Sequence, residues 1–225
     1  MRLYLDTADI NQVKRFYELF PIDGVSCNPT ILTKSGEKPY SVLKEIRREI
    51  GDAREIFVQV VSKETDKMIK EANRIVSELG PNTIVKFPCC AEGYRAINYL
   101  RDKNVKTVGT TIYNTIQGYL AAKAGALYVA PYVNRIDNMG SSGVQITKDI
   151  HDILSKGNYK CTVLAASFKN TEQVLELAKY GIPGVTVGPE VLDFFLTNVA
   201  LDIALENFKR DFEKYFGKDK DMSNI

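Results

Sequence analysis

Short β-branched runs alternate with longer amphipathic patterns along this 225-residue chain, and that alternation limits the folds it can adopt. Eight such runs occur, and each precedes a segment that reads as a helix. Strands that alternate with helices indicate βαβ units and a parallel sheet. The strand runs are RLYLDT (2–7), DGVSCNPT (23–30), EIFVQVV (55–61), TIVKFP (83–88), KTVGTTIY (106–113), ALYVAPYVNR (126–135), CTVLAASFK (161–169) and GVTVGPE (184–190).

Eight units in 225 residues predict an α/β fold of the (β/α)8 TIM-barrel type, with one barrel over residues 1–198. The alternative is a doubly wound open sheet, which in its Rossmann form should carry a GxGxxG turn after the first strand. The corresponding segment here, LDTADI at 5–10, contains no glycine. The sequence therefore favours the barrel.

A further helix is predicted beyond the eighth unit, at about 199–216, within a C-terminal segment 199–225. Its apolar residues form a stripe with helical spacing, and such a stripe outside a closed barrel needs a surface to cover it. The helix could pack on its own barrel or dock on a neighbouring subunit, and the pattern alone does not choose. The stripe consists of Leu201, Leu205, Phe208, Phe212 and Phe216.

Composition argues against several classes of function. The net charge is only +2 and the basic residues are scattered, so we expect no binding to nucleic acid. No apolar stretch approaches the roughly 18 residues of a membrane span, and the opening MRLYLDTADI does not resemble a signal peptide. The four cysteines form no CxxC pair, and the single histidine, His151, cannot complete a zinc site. We expect reduced thiols, no metal and a cytoplasmic location.

Polar residues follow the apolar part of seven of the eight predicted strands. Barrel enzymes place their chemistry at the carboxyl ends of the strands. Each residue alone could be a helix cap, a turn or a satisfied core group, but their convergence on one barrel mouth predicts a site. The candidates are Asp6, Ser26, Asn28, Gln59, Lys86, Thr110, Tyr132, Arg135, Ser167 and Lys169.

Lys86 lies in the fourth strand, where side chains alternate between two faces. Val85 and Phe87 suit the outer face that packs on helices, so Lys86 should share the inner face with Ile84. A lysine in that interior should have a depressed pKa, as Schiff-base chemistry requires. The alternative is a structural ion pair with Asp6 or another carboxylate, and the two interpretations stay open at this point.

Three candidates form a second group around the sixth and seventh strands. Two cations and a hydroxyl, Arg135, Lys169 and Ser167, suit a phosphate group. Otherwise Lys169 would be solvated at the surface and Arg135 would form a salt bridge.

These motifs resemble the small transaldolase-like aldolases, the family that includes fructose 6-phosphate aldolase and transaldolase. The resemblance runs nearly end to end and is carried most specifically by APYVNRID and LAASFK. The matching strings are LYLDT (3–7), GVSCNPT (24–30), VQV (58–60), IVKFP (84–88), AEG (91–93), GTTIY (109–113), AGALYVAPYVNRID (124–137) and LAASFK (164–169).

The resemblance implies a class I mechanism without metal or cofactor, in which Lys86 forms a Schiff base with a sugar ketone. It also implies that Tyr132 is the acid/base residue and that Gln59 and Thr110 position a catalytic water. By the same resemblance Asp6 and Asn28 contact the sugar hydroxyls and support proton transfer, and Ser26 belongs to the substrate-binding residues. Arg135, Ser167 and Lys169 would bind the phosphate of a sugar phosphate.

The family contains two activities, and three positions bear on the choice between them. Transaldolases that resemble this chain usually carry Glu at the position of Gln59, Ser at that of Ala130 and Phe at that of Tyr132. The resemblance therefore implies an aldolase, with a transaldolase of the pentose phosphate pathway as the alternative. It also implies a homo-pentamer or homo-decamer in which the C-terminal helix reaches the adjacent subunit.

Overall fold

The computed structural model describes residues 1–225 and shows eight parallel strands in a closed barrel, in which the last strand pairs with the first. The strands are β1 (Arg2–Asp6), β2 (Gly24–Ser26), β3 (Glu55–Gln59), β4 (Thr83–Pro88), β5 (Thr107–Ile112), β6 (Tyr128–Pro131), β7 (Thr162–Ala165) and β8 (Gly184–Val187). The predicted (β/α)8 barrel is confirmed.

The helices lie on the outside of the barrel, between successive strands and after the last one. They are α1 (Ile10–Leu19), α2 (Pro29–Thr33), α3 (Pro39–Ile50), α4 (Thr65–Leu79), α5 (Ala91–Arg101), α6 (Thr115–Ala124), α7 (Val133–Asp137), α8 (Gly143–Lys156), α9 (Thr171–Tyr180), α10 (Pro189–Leu196) and α11 (Val199–Phe216). None of these helices combines the length and the hydropathy needed to cross a lipid bilayer.

The period of two within each strand separates two hydrophobic regions. Val85 and Phe87 of β4 belong to the larger core between strands and helices. Ile84 belongs to a smaller cluster inside the barrel, together with aromatic residues such as Phe57. Lys86 shares the face of Ile84, so its predicted inward orientation is confirmed.

The amino-terminal end of the barrel is closed by a polar cluster centred on Glu55. Tyr4 donates a hydrogen bond to this carboxylate at 2.5 Å, and Tyr128 donates to it at 2.9 Å. Arg2 donates to the Tyr128 hydroxyl at 2.8 Å and lies 3.5 Å from Glu55. Burial is the main cause of the raised pKa of both tyrosines, so they stay neutral donors. We call Arg2, Tyr4, Glu55 and Tyr128 the closing cluster.

Most of the predicted strands were too long: the runs at 23–30 and 184–190 continue into α2 and α10, and two further corrections, at β6 and β7, move functional candidates. The segment 126–135 was expected to be a strand throughout, but β6 ends at Pro131 and the short helix α7 follows. The Val133 N–H donates to the Ala166 carbonyl at 2.9 Å, and these contacts turn the chain away from the strand direction. Arg135 therefore lies on a helix. The strand predicted at 161–169 likewise ends at Ala165, which leaves Ser167 and Lys169 in a loop.

The C-terminal helix occupies the predicted residues, Val199–Phe216, but it does not pack on its own barrel. None of its residues is buried. Leu205 is 55% exposed and Phe208 is 69% exposed, so the apolar stripe has no cover within one chain. Neighbouring Phe194 and Phe195 at the end of α10 are also exposed and extend the apolar surface.

Gly93 allows α5 to approach the end of the strand that carries Lys86. A Cβ added at Gly93 would lie 1.9 Å from the carbonyl oxygen of Pro88, which is backbone and cannot rotate away. A Cβ at Gly118, another helical glycine, would instead meet side-chain carbons of Ile150 at 2.9–3.0 Å, and these can move.

We expect Gly93→Ala to lower the free energy of unfolding by about 1–3 kcal/mol, because the backbones must separate. Gly118→Ala should cost much less, since Ile150 can repack and alanine favours the helix by about 1 kcal/mol. Urea denaturation of both variants measures the difference. Equal stabilities would contradict the role given to Gly93.

Candidate active site

A cavity of about 1000 Å³ opens at the carboxyl ends of the strands. Six carboxylates and four cationic side chains face it, so it is a strongly polar cavity rather than an apolar one. Seven of the ten residues predicted from the sequence line it: Asp6, Asn28, Lys86, Tyr132, Arg135, Ser167 and Lys169. The other three, Ser26, Gln59 and Thr110, are not among the lining residues but adjoin them: Ser26 and Thr110 bond to lining side chains, and Gln59 is a register partner of one.

Lys86 lies at the floor of this cavity and is only 4% exposed. Its Nζ donates a hydrogen bond of 2.9 Å to the Ser26 hydroxyl, and both side chains are buried. A neutral hydroxyl satisfies one donor of the amine without fixing the positive charge as a carboxylate would. The ion pair with Asp6, which the sequence left open, is not formed as a direct contact.

Asp6 neighbours this lysine from β1, where it is the register partner of Ser26 on β2. Its Oδ1 is buried and has no hydrogen-bond partner. Burial raises the pKa of the Asp6 carboxyl above its ordinary value, although the charge of Lys86 and the Ser26 hydroxyl act in the opposite direction. Asp6 is thus a carboxyl group beside the lysine that holds a proton more readily than usual.

Gln59 is the register partner of Lys86 on the adjacent strand β3. Its Oε1 is buried without a hydrogen-bond partner. A buried amide oxygen in that state is costly unless a water or a ligand satisfies it. Gln59 therefore fits the predicted role of positioning a water, although it is not one of the residues that line the cavity.

Tyr132 is hydrogen-bonded to the buried residue Thr110. The Thr110 hydroxyl donates to the Tyr132 hydroxyl at 3.1 Å, which leaves the phenol proton free to point into the cavity. Arg135 places its guanidinium over the Tyr132 ring at 4.5 Å, and Tyr113 packs against the ring edge-on at 5.8 Å. These contacts hold the phenol in one orientation at the rim of the barrel interior.

The three residues that the sequence predicts to bind a phosphate lie toward the mouth of the cavity. Arg135 and Lys169 are exposed, and Ser167 is half-buried. Lys169 Nζ lies 3.6 Å from Glu190 Oε1, whereas Arg135 contacts the Tyr132 ring and pairs with no carboxylate.

Two residues near the site have left-handed backbones. Thr111 has φ 58° where the register between β5 and β6 shifts, and Ser167 has φ 63°. A β-branched residue rarely adopts this conformation, and such strain costs about 1–3 kcal/mol per residue. The kink at Thr111 directly follows Thr110, and it changes the strand at the point where that hydroxyl meets Tyr132.

Sequence reasoning missed the cavity residues of the eighth unit, and two of them bear directly on the site. Thr186 is the inward residue of β8, is 2% exposed and has a hydroxyl without a partner. Glu190 lies in the first turn of α10 and faces Lys169. Thr186 stands between valines and reads as an ordinary strand former, and Glu190 reads as an acid in a first helical turn. Only the period of two in β8 could have indicated Thr186.

The cysteines do not contribute a reactive thiol to the cavity. Burial raises the pKa of Cys27 to about 12, although it lies near Lys86, and burial also raises the pKa of Cys89 to about 12. Cys90 is exposed but does not line the cavity. No group of three or more His, Cys, Asp or Glu side chains is placed to hold a metal ion.

A closed parallel barrel whose strand ends converge on a buried lysine defines the general class, a (β/α)8 barrel with its polar site at the usual face. The chain belongs to the transaldolase/fructose-6-phosphate aldolase family, whose sequence model matches residues 3–224. Both activities in that name are enzymatic, so the chain is a member of an enzyme family.

Solved structures of other proteins share the barrel. A mandelate oxidase variant with a bromo-hydroxy-methylphenylacetate is 13% identical, with a TM-score of 0.57 over 84% of this chain and 65% of that one. A flavocytochrome b2 variant with sulfite bound is 12% identical, with a TM-score of 0.59 over 84% of this chain and 56% of that one. This chain spans less than two thirds of either, and at these identities the likeness concerns the fold alone.

The raised pKa of Asp6 predicts a pH-dependent effect on stability. Its ionised form is disfavoured in the fold, so the wild type loses stability as pH rises from the ordinary carboxyl range through the raised value. Asp6→Asn cannot ionise. The melting temperature of the variant minus that of the wild type should therefore grow from about pH 4 to about pH 7.

Thermal unfolding across this pH range measures that difference. Asp66→Asn, which removes an exposed carboxyl, is the matched control and should show no such growth. A difference for Asp6→Asn that stays flat or shrinks with pH would show that the carboxyl is not destabilised by burial.

Proposed function

We propose that this protein is a class I aldolase that reversibly cleaves fructose 6-phosphate to dihydroxyacetone and glyceraldehyde 3-phosphate through a Schiff base. The observation that carries the proposal is Lys86, a lysine 4% exposed on the inner face of the barrel with a neutral hydroxyl as its partner. Such an amine is shielded from solvent and is not tied into an ion pair, as a nucleophile for a carbonyl must be.

The chemistry begins when the unprotonated Nζ of Lys86 attacks C2 of the ketose. An acid protonates the C2 hydroxyl of the adduct, which leaves as water, and an iminium forms. A base then removes the proton of the C4 hydroxyl and the C3–C4 bond breaks. The electron pair of that bond becomes the C2–C3 double bond, and the π pair of the C2–N bond moves onto nitrogen to give an enamine. The aldehyde departs. Protonation at C3 and addition of water to the iminium release dihydroxyacetone and restore the amine, so no external oxidant or reductant is required.

Tyr132 is the proposed acid/base group, and its surroundings support that role. Its hydroxyl accepts from Thr110 and keeps its own proton, so it can donate into the cavity. The unpaired Oε1 of Gln59 and the Thr110 hydroxyl would hold the water that takes part in proton transfer and hydrolysis. Asp6, with its raised pKa, would carry a proton beside the lysine.

The remaining predicted residues divide between hydroxyl and phosphate recognition. The Asn28 side-chain oxygen caps α2 by accepting from Ile31 N at 3.0 Å, which leaves its amide N–H groups for a sugar hydroxyl. Ser26 contacts the lysine and would orient it. Arg135, Ser167 and Lys169 would bind the phosphate near the mouth, where the far end of a six-carbon sugar attached to Lys86 would lie.

Transaldolase is the second candidate, because the family matched by the chain contains both activities. In that reaction the enamine on Lys86 attacks an aldose phosphate instead of being protonated. We favour the aldolase because Tyr132 supplies a phenol proton within the cavity. Gln59 and Ala130 point the same way by resemblance.

Lys86→Met is expected to abolish turnover while leaving the fold intact, because methionine has a similar length and no nucleophile. Borohydride with dihydroxyacetone should add a reduced adduct to the wild type, and peptide mass spectrometry should locate it on Lys86. Lys106→Met is the matched control, since Lys106 bonds Asn82 outside the cavity. Retained activity in Lys86→Met, or an adduct on another lysine, would remove the imine mechanism proposed here.

The fate of the intermediate is decided by measuring free dihydroxyacetone released from fructose 6-phosphate, with and without erythrose 4-phosphate. The aldolase releases it without the acceptor, whereas a transaldolase turns over only when the acceptor is present. Tyr132→Phe should slow release by about a hundredfold to ten-thousandfold, the range of acid/base contributions. Tyr113→Phe removes a neighbouring phenol and is the control. Acceptor-dependent turnover by the wild type would establish the second candidate.

We also propose that segment 199–225 docks on a second copy of this chain within a homo-oligomer. The support is the apolar surface of α11 and the end of α10, which no part of the same chain covers. Burying this surface against an identical subunit would remove it from water.

Analytical ultracentrifugation tests the assembly. The wild type should sediment as a multimer of the chain, and Leu205→Lys with Phe208→Lys should sediment as a smaller species. Glu206→Lys changes an exposed polar position of the same helix and should leave the mass unchanged. A monomeric wild type would contradict the proposal.

A further inference from the structure

We propose that Glu190 is a specificity-determining residue that weakens the preference of the site for phosphorylated substrates by occupying Lys169. The inference rests on the proposed function and adds a residue to it. Glu190 lies in the first turn of α10, and its Oε1 is 3.6 Å from Lys169 Nζ. Both side chains line the cavity.

The ion pair is loose, which makes it exchangeable. The side chains of Lys169 and Glu190 are 64% and 59% exposed, and exposed pairs of this kind contribute little to stability. A substrate phosphate carries more negative charge than a carboxylate and can replace Glu190 as the partner of Lys169. The ion pair therefore adds little to the stability of the fold. The negative charge of Glu190, in contrast, acts directly on a ligand that enters the cavity.

Gly188 allows Glu190 to adopt this position. The Glu190 carboxylate folds back over the backbone at 188, where an added Cβ would lie 2.5 Å from Oε2. Because glycine leaves this space open, the carboxylate reaches toward the barrel mouth instead of pointing away from it. The proximity also shows in Asp6, whose raised pKa includes a contribution from the charge of Glu190.

The two cations of the proposed phosphate site are thus unequal. Arg135 lies over the Tyr132 ring and pairs with no carboxylate, so it is ready for a phosphate. Lys169 is already partnered, and a phosphate must both displace Glu190 and remain close to its negative charge. A carboxylate placed this way works against phosphorylated ligands and leaves uncharged ligands unaffected.

The experiment compares two aldehyde acceptors that differ only by the phosphate, glyceraldehyde 3-phosphate and glyceraldehyde, with dihydroxyacetone as the donor. If the wild type requires a ketose donor, fructose 6-phosphate with erythrose 4-phosphate and erythrose replaces this set. The readout is the KM ratio of the unphosphorylated to the phosphorylated acceptor. An effect of Glu190 on Asp6 acts on both acceptors alike and cancels in this ratio.

We expect Glu190→Gln to raise this ratio about threefold to fivefold, mainly by lowering KM for the phosphorylated acceptor, and the gain should shrink as salt screens the charges. Asp193→Asn is the matched control: it removes one negative charge from the same helix and the same cavity wall, but Asp193 pairs with Arg15. An equal gain in both variants would indicate a general charge effect and would overturn the assignment to Glu190.

A double variant tests whether Glu190 acts through Lys169. In a Lys169→Met background only the direct repulsion by Glu190 remains, so Glu190→Gln should change the ratio less than it does in the wild type, and an equal change would overturn the pairing mechanism. A wild type that adds no acceptor of either kind refutes the proposed function itself. A wild type that is active, with a ratio unaltered in Glu190→Gln, refutes only this inference.

Discussion

Barrel closure through the pairing of β1 with β8 is the constraint on which the rest of the structure depends. Once the sheet is closed, every second side chain of each strand must point into one narrow interior. Aromatic residues and the closing cluster fill the lower part, where Glu55 accepts hydrogen bonds from two tyrosines. The upper part is left to Asp6, Gln59, Lys86 and Thr186, and their polar groups meet in one place because the strands end there.

The chemical character of this upper layer follows from hydrogen-bonding groups that lack partners within the chain. Asp6, Gln59 and Thr186 each have a buried oxygen without a partner, and Lys86 is bonded to a neutral hydroxyl. No group of the chain pairs with these oxygens, and burial of such an oxygen is costly unless a water or a ligand satisfies it. The site is therefore suited to a polar ligand, because several of its charged and polar groups are not already paired with one another.

Much of this was accessible from the sequence because local patterns determine it. The strand count, the helix 199–216 and the inward face of Lys86 all follow from periodicity. The end of β6 at Pro131 did not, because tertiary hydrogen bonds from Val133 to Ala166 redirect a segment that has strand-like composition. Thr186 and Glu190 were missed because their importance lies in what they face across the barrel, and no pattern in a single strand or helix reports on that.

The closing cluster and the left-handed residues Thr111 and Ser167 lie at opposite ends of the barrel. One end is held by the hydrogen bonds of Glu55, whereas at the other end Asp6, Gln59 and Thr186 have unpaired oxygens and two residues have left-handed backbones. Substitutions in the exposed loop that carries Lys169 therefore disturb fewer fixed contacts than substitutions in the closing cluster. Proteins built on this barrel can change the loops after β7 and β8 and acquire new substrates while the scaffold stays the same. The capacity to evolve new specificity therefore differs between the two ends of the barrel.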